Sequence, residues 1–369
     1  MFNFFKKQNY FLGVDFGTSA LKAVELSFSK QRTHLVNYGW VDFNPGEKNG
    51  GIYKNSKLRI QDGRLQKCLK ELFKKMSLKS KQVYVSIAGF NGLVALIELP
   101  DMKEDDLNQA VKFEAHKYIP ASLDEVFLSW DIVSRENIKR DRLIKKASKD
   151  SGTPGKVKIL LVAALKEEVL KYEKIIKGVG LEMKALELEI FSMARSLVGN
   201  DLGSFVIIDI GARNSNIILT EKGVVKINRS VDVGGNEITK TIAESMNISR
   251  QRAESFKKQK KDFLNSHEGT LLLPSLELIA KEAQRVMKSY ESKNKKSQID
   301  SVILSGGTAK LAGIDAYFSR VLGVRTVVGN PWSRIDFDES LNPRIKEMGP
   351  SFSVAIGLAL RGVEEYQRK

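Results

Sequence analysis

Along this chain, short apolar runs bounded by turn residues alternate with longer segments whose apolar positions recur every three to four residues. That pattern predicts an α/β protein in which strands lie under amphipathic helices. Phe11 to Val14 is apolar and β-prone, Asp15 and Gly17 to Ser19 are turn residues, and Ala20 to Leu26 resumes the alternation. The stretch therefore predicts a β-hairpin with Asp-Phe-Gly-Thr-Ser at its tip. A third β-rich run, His34 to Phe43, leads into a Gly/Asn/Lys-rich loop at 44–55. From Arg64 to Met76, apolar residues at Leu65, Cys68, Leu69, Leu72, Phe73 and Met76 have the spacing of a helix packed on a sheet. Gln82 to Ser86 then reads as a strand.

The texture changes after Ala95. Leu96 to Pro100 closes a strand, acidic residues at 101–105 open a helix, and Leu107 to Tyr118 continues it until Pro120. Strands at Val126–Val133 and Lys158–Ala164 flank a polar surface stretch, Ser134 to Lys156, and a helix from Lys166 to Lys177 ends at Gly178 and Gly180. This ββαββαβ-like block, residues 82–187, reads as an insertion suited to partner binding and holds no catalytic constellation. Ala185 to Leu197 predicts a helix leading onward.

A second hairpin repeats the first. Phe205-Val-Ile-Ile-Asp-Ile-Gly-Ala-Arg-Asn-Ser places Phe205 on Phe11, Asp209 on Asp15 and Gly211 on Gly17 without a gap. Two such hairpins at the head of two similar halves predict a cleft that clamps a polyphosphate from both sides. Gly17 is expected to take positive φ, so that loop N–H groups with the Thr18 and Ser19 hydroxyls cradle phosphate oxygens. A carboxylate beside phosphate is repelled, so Asp15, and Asp209 by the repeat, are expected to act through a hydrated Mg2+. Val224 to Asn228 continues as a strand, and Val231 to Glu237 turns into a helix with Asn236 as N-cap. A polar helical segment runs to Tyr290, and Asp300 to Ala309 gives a strand, a Gly-Gly turn and a helix whose N-terminus favours anions.

Composition narrows the classes. The 369 residues exceed one ordinary core, so two domains or fused halves are expected, and 42% hydrophobic with 28% charged residues marks a folded globular chain. The net charge of +16 comes without a basic stripe interleaved with aromatics, which argues against nucleic acid. The runs Lys257-Lys-Gln-Lys-Lys261 and Lys293-Asn-Lys-Lys-Ser297 read as solvated faces. One cysteine, Cys68, permits no intrachain disulfide and suits a reducing compartment, while His34, His116 and His267 lack metal-ligand spacing. Neither a signal peptide nor a spanning segment is read, so a cytoplasmic protein is expected. No G-x-G-x-x-G follows a strand and no G-x-x-x-x-G-K-[ST] occurs, which excludes Rossmann and P-loop enzymes.

The two hairpins and two Gly-Gly turns, in this order, resemble the actin-like ATPase superfamily, in which FtsA, the actins and the heat-shock chaperone ATPases share a duplicated ribonuclease-H-like fold. Within it the chain is similar to the type IV pilus assembly PilM family. The similarity rests on Lys6-Lys7 ahead of 11–26, on Glu98-Leu-Pro100 with Glu114-Ala-His-Lys-Tyr-Ile-Pro120, and on Asp209-Ile-Gly-Ala212 and Val233-Gly-Gly-Asn236. It implies a first half at 1–81, with 331–369 returning to it, and an FtsA/PilM-type inserted subdomain at 82–187. The second half, 188–330, then includes a helical subdomain at about 235–298, and a nucleotide cleft lies between the halves.

The resemblance further implies ATP and Mg2+ as ligands. Asp15, Gly17, Thr18 and Ser19 would form the first phosphate loop, and Asp209, Gly211, Ala212 and Asn214 the second. Gly234, Gly235 and Asn236 would open a helix beside ribose and phosphates, Ser305, Gly306, Gly307 and Thr308 would pack on adenine, and Glu282 and Arg285 would meet the nucleoside from the other side. Glu189 falls where chaperone-type relatives hold an acidic residue near the attacking water. Ala212-Arg213-Asn214 replaces the Gly, Thr or Ser of many relatives, and no water-activating Gln, His or Asp is evident, so binding is better supported than turnover.

As partner the resemblance implies the cytoplasmic N-terminal tail of a PilN-like inner-membrane protein, held in a groove where the inserted subdomain meets the first half. Membrane attachment would be peripheral and indirect. The pilus motor ATPase, the platform protein and self-association extend the partner set. An FtsA-like filament-forming division protein and a sugar-kinase-type enzyme are the alternatives, and the buried look of Phe352 to Val363 speaks against the first.

Overall fold

The computed structural model describes residues 9–43, 62–136, 155–259, 262, 264, 272–293 and 298–368. The Lys6-Lys7 leader, the loop at 44–55, most of the polar stretch 134–156, His267 and parts of both lysine runs lie outside the described residues. By internal contacts the chain divides into two compact units, Met1–Gly89 with Tyr172–Lys369, and Phe90–Lys171.

The larger unit contains one pattern twice. Strands β1 (Asn9–Phe16), β2 (Ala20–Ser29) and β3 (Arg32–Asp42) form an antiparallel meander, and helix α1 (Asp62–Met76) leads to β4 (Gln82–Ile87), parallel to β1. The smaller unit intervenes with β5 (Gly92–Pro100), α2 (Glu104–Ala115), β6 (Val126–Glu136) and β7 (Lys156–Leu165), an antiparallel sheet in the order β5-β7-β6. Helix α3 (Lys166–Gly178), β8 (Glu182–Leu188), parallel to β4, and α4 (Glu189–Leu197) complete the first repeat.

The second copy runs β9 (Ser204–Ile210), β10 (Ser215–Glu221), β11 (Val224–Val231), helices α5 (Gly235–Met246), α6 (Arg250–Lys257) and α7 (Pro274–Lys293), then β12 (Ser301–Ser305), α8 (Ile314–Leu322) and β13 (Thr326–Val328). Helices α9 (Asn342–Met348) and α10 (Ser353–Gln367) close the described chain. The sheet orders β3-β2-β1-β4-β8 and β11-β10-β9-β12-β13 match strand for strand. This is the expected duplicated actin-like architecture. The elements of the 82–187 block occur in the expected order, and its outer strands β4 and β8 pair into the first sheet.

Two readings need correction. Ala185 to Leu197 is not one helix, because β8 runs to Leu188 before α4 begins at Glu189. Its Glu, Met, Lys and Leu favour helix in isolation, and the parallel edge offered by β4 overrides them. The helix before Pro120 is α2, which opens at Glu104 within the acidic stretch expected to start it but ends at Ala115 rather than Tyr118.

As expected, α10 is buried, and it packs on β1 and β2 of the first half. A Cβ on Gly13 would run into the Ala355 carbonyl, and one on Gly357 into the Ser192 carbonyl. Glycine at both positions lets α10 lie directly against β1 on one side and α4 on the other. A charged network ties the same helices: Arg195 donates to both Glu187 oxygens (2.7 and 3.2 Å) and to the Gly357 carbonyl, and Arg361 donates to Glu187 Oε2 at 2.9 Å. Trp332, Phe352, Ala355, Ile356 and Ala359 fill the core over Val24 and Leu26. A separate core under β9 and β12 gathers Ile238, Ile279, Ala283 and Phe318. Among the described residues no helix is long and apolar enough to cross a membrane.

Candidate functional site

Asp15, Ser86, Asp209 and Ser305 stand at or next to the carboxyl ends of β1, β4, β9 and β12. Parallel strands in an α/β sheet leave their ligand crevice at that end.

The tips of the two hairpins are built alike. A Cβ on Gly17 would lie 2.9 Å from the Ala20 carbonyl oxygen, and one on Gly211 would lie 2.9 Å from that of Asn214. The Gly211 N–H donates to the same Asn214 oxygen at 3.0 Å. Gly17 is therefore required by the closeness of the turn and not by a left-handed backbone, since its φ is not positive. That corrects the sequence expectation.

Asp15 is buried and accepts from Ser86 Oγ (3.2 Å), with Lys22 Nζ 3.5 Å away. Loss of hydration pushes Asp209 up to about 6, against the opposing hydrogen bond from Ser305 and the charge of Lys22, with Asp15 adding to the rise. A Cβ on Gly89, just beyond β4, would lie 3.1 Å from Asn216 Oδ1, so the carboxyl end of the first sheet meets the second hairpin. Glu189, first residue of α4, accepts at Oε1 from the Gly89 N–H (2.9 Å) and from Asn216 Nδ2 (2.8 Å). Burial, then the charge of Asp209 and more weakly that of Asp15, pushes its pKa up to about 8. Three acidic side chains thus share one enclosed region, where loss of hydration is the main cause of the two raised values and mutual repulsion adds to it.

Behind the second tip, the Gly235 N–H donates to the Gly211 carbonyl and the Asn236 N–H to that of Ala212, both at 2.8 Å. Those donors lock the loop to α5. Gly234, not Asn236, is the N-cap, extended at φ −154°, and its N–H donates to Glu237 Oε2 at 3.1 Å. The bond to Ala212 draws Asn236 into the first helical turn and leaves its side chain exposed. A Cβ on Gly235 would come within 2.6 Å of Thr308 Oγ1 and 3.1 Å of Lys257 Nζ, so Gly211, Gly235, Thr308 and Lys257 converge.

Ser305 is fully buried, bonded to Asp209 and, at 2.8 Å, to Ser353 Oγ. Gly306 adopts φ +85°, where a side chain would be strained, and a Cβ on it would meet Asp209 Oδ1 at 3.0 Å. Open space surrounds Gly307. Ala212 and Asn214 hold the second turn through their carbonyls. Glu282 and Arg285 pair with each other at 2.9 Å, with Arg285 largely in solvent, and no described contact brings them to the hairpin tips.

Sequence reasoning missed the cations. Lys22 is the register partner of Asp15, as Asn216 is of Asp209, and continuing the repeat seven residues beyond each aspartate finds both. Lys257 is not on a solvated face: its ammonium donates to the Gly235 carbonyl (3.1 Å) and Thr239 Oγ1 (3.0 Å) and pairs with Glu254 at 2.8 Å. Desolvation lowers its pKa despite that partner. The Glu254–Lys257 spacing beside buried Ala253 was the available signal.

A structure of a PilM–PilN type IV pilus biogenesis complex matches with a TM-score of 0.77 and 25% identity, covering 95% of this chain and 98% of that one. MreB5 of Spiroplasma citri, solved with ADP, matches at 0.53 and 13% identity over 98% of this chain and 99% of its own, a likeness of fold. Cell division protein FtsA of Pseudomonas aeruginosa is 21% identical across 96% of this chain and 89% of its own length. A family model described as type IV pilus assembly protein PilM matches residues 13–363, from β1 into α10, and the chain belongs to that family.

Proposed function

We propose that this chain is a nucleotide-binding component of type IV pilus assembly that holds Mg-ATP between its two hairpins and, in the conformation so favoured, grips the cytoplasmic tail of a PilN-like membrane protein. The observation that carries the reading is the pair of hairpins with alike-built Asp-x-Gly tips at the carboxyl ends of two matching sheets. Thr18 and Ser19 on one side, and the Ala212–Asn214 turn on the other, are the groups offered to phosphates. Lys22 and Lys257 supply the positive charge that those phosphates require. Gly306, Gly307 and Thr308 form the wall assigned to the base, with Glu282 and Arg285 as an outer pair.

The acidic residues suit Mg2+ held through water. Asp15 and Asp209 are oxygen donors of the right hardness. Among the described residues no three acidic, His or Cys side chains converge closely enough to ligate an ion directly. When bound, the ion would screen the phosphate charge and fix its orientation. Glu189, protonated below about pH 8, is poorly disposed to take a proton from water, and the amide of Asn216 cannot act as a base. Slow turnover at most is expected, so nucleotide occupancy serves to set a conformation.

The PilM–PilN complex supports the partner. None of the residues proposed here for the nucleotide falls in the Phe90–Lys171 unit, which exposes Leu96, Phe113 and Phe127, side chains that suit an apolar peptide. Isothermal titration of a synthetic PilN-like tail into the full chain, with and without Mg-ATP, tests the reading. Binding that changes severalfold with nucleotide is expected, and absence of binding in both states overturns it.

A further inference from the structure

One helix presents solvent with positive charge that its surroundings do not neutralise. Helix α1 buries Leu65, Leu69, Leu72, Phe73 and Met76 and leaves Lys67, Lys70, Lys74 and Lys75 exposed on the other side. Fifteen residues carry that face over about 20 Å. Gln66 donates to the Lys174 carbonyl at 3.5 Å, which places the exposed Lys174 and Lys177 of α3 beside it.

Among the described residues none of these six lysines has an ion-pair partner, and only Glu71 and Glu173 interrupt the field with exposed carboxylates. Elsewhere on the same unit, three exposed helix lysines are paired along the helix, Lys240 with Glu244, Lys258 with Glu254 and Lys281 with Glu277, while Lys288 and Lys346 stand singly on α7 and α9. What sets this face apart is the gathering of six such lysines on two adjacent helices, where elsewhere an exposed helix lysine without a partner stands singly.

We propose that this face adsorbs to the surface of an anionic lipid bilayer, giving the chain a direct membrane contact in addition to any protein partner. Four to eight basic residues on one side of an amphipathic helix are what an anionic leaflet attracts. Lysine ammoniums on flexible stems neutralise a diffuse field of headgroups without demanding fixed geometry, whereas bidentate recognition of a discrete phosphate calls for arginine. The outer face of α1 exposes no large apolar side chain. It lacks the aromatic platform on which single-stranded nucleic acid stacks and the buried anchor around which a protein interface forms. The same lack means adsorption without insertion, so binding is reversible and fades with salt.

The test is flotation of the full chain, alone, with phosphatidylcholine vesicles and with vesicles of 70:30 phosphatidylcholine to phosphatidylglycerol, at low and high salt. Binding to the anionic vesicles only, lost at high salt, is expected. Lys67→Glu/Lys70→Glu/Lys74→Glu/Lys75→Glu, on the solvent side of α1, should reduce the partition coefficient by about tenfold or more. Lys240→Glu/Lys288→Glu/Arg325→Glu/Lys346→Glu, with the same change in net charge at other exposed sites, should retain most of it. Equal loss in the two variants, unchanged binding in the α1 variant, or tight binding of duplex DNA without vesicle binding overturns the proposal. Because no partner tail or nucleotide is present, the result is independent of whether the pilus reading holds.

Discussion

Asn216 Nδ2 donates to Glu189 Oε1 at 2.8 Å, and Asn216 holds in the second hairpin the register position that Lys22 holds in the first. One repeat thus pairs its aspartate with a cation and the other with a neutral amide. Asp209 therefore has no cation at its register position, and Glu189 is held by the Asn216 amide and the Gly89 N–H rather than by a positive charge.

Stability should fall as pH rises through the neutral range. Glu189 and Asp209 titrate higher in the folded chain than in the unfolded one, so the unfolded chain releases its protons first. Below the ordinary carboxylate range the stability they confer is fully present. It declines until pH passes about 6 for Asp209 and about 8 for Glu189. Melting curves of the nucleotide-free chain from pH 5 to 8.5 should show the decline, and Glu189→Gln should flatten it above pH 6. A slope in the variant equal to that of the wild type contradicts the assignment.

Gly357→Ala should destabilise strongly, since its methyl would enter the Ser192 carbonyl on α4 and neither backbone can move away alone. Overpacking of this kind costs about 1–3 kcal/mol or more, measured by urea denaturation. Gly180→Ala is a contrast: open space surrounds it, and its positive φ alone sets the penalty.

Glu187 accepts from two arginines and is itself little exposed, so Glu187→Ala should cost about 1–3 kcal/mol by removing one carboxylate from each, while Arg195 keeps Glu364 and Arg361 keeps Glu365. Adding Arg195→Met should recover part of that loss. Additive costs in the double-mutant cycle would show that the pair is not coupled.

The duplicated hairpins, the flanking helices and the buried α10 were legible because turn residues and apolar periodicity are local signals. Sheet pairing was not. Whether Glu182–Leu188 is helix or strand depends on β4 beside it, and no local pattern states that. In the site, Asp15, Asp209 and the glycines could be read from the repeat, but the steric reason for Gly17 required the Ala20 carbonyl in place. Lys257 was hidden in a lysine run, because only the fold distinguishes an ammonium bonded to the Gly235 carbonyl from its solvated neighbour Lys258.

Lys257→Met should weaken nucleotide binding by about tenfold, equivalent to about 1.4 kcal/mol, because it removes an enclosed cation from behind the second loop. Fluorescent-nucleotide titration reads the change. Lys258→Met, on an exposed side chain one residue away, should leave affinity near that of the wild type. Equal effects of the two substitutions would place the nucleotide elsewhere.

The clamp between the hairpins is tested most directly by thermal unfolding with and without Mg-ATP. At ligand a hundredfold above its dissociation constant, the wild-type chain should gain about 2.7 kcal/mol, seen as a rise in melting temperature. The Gly17→Val/Gly211→Val variant, in which both tips meet a carbonyl oxygen, should unfold cooperatively but show no rise. A wild type that does not shift, or a variant that shifts equally, contradicts the account.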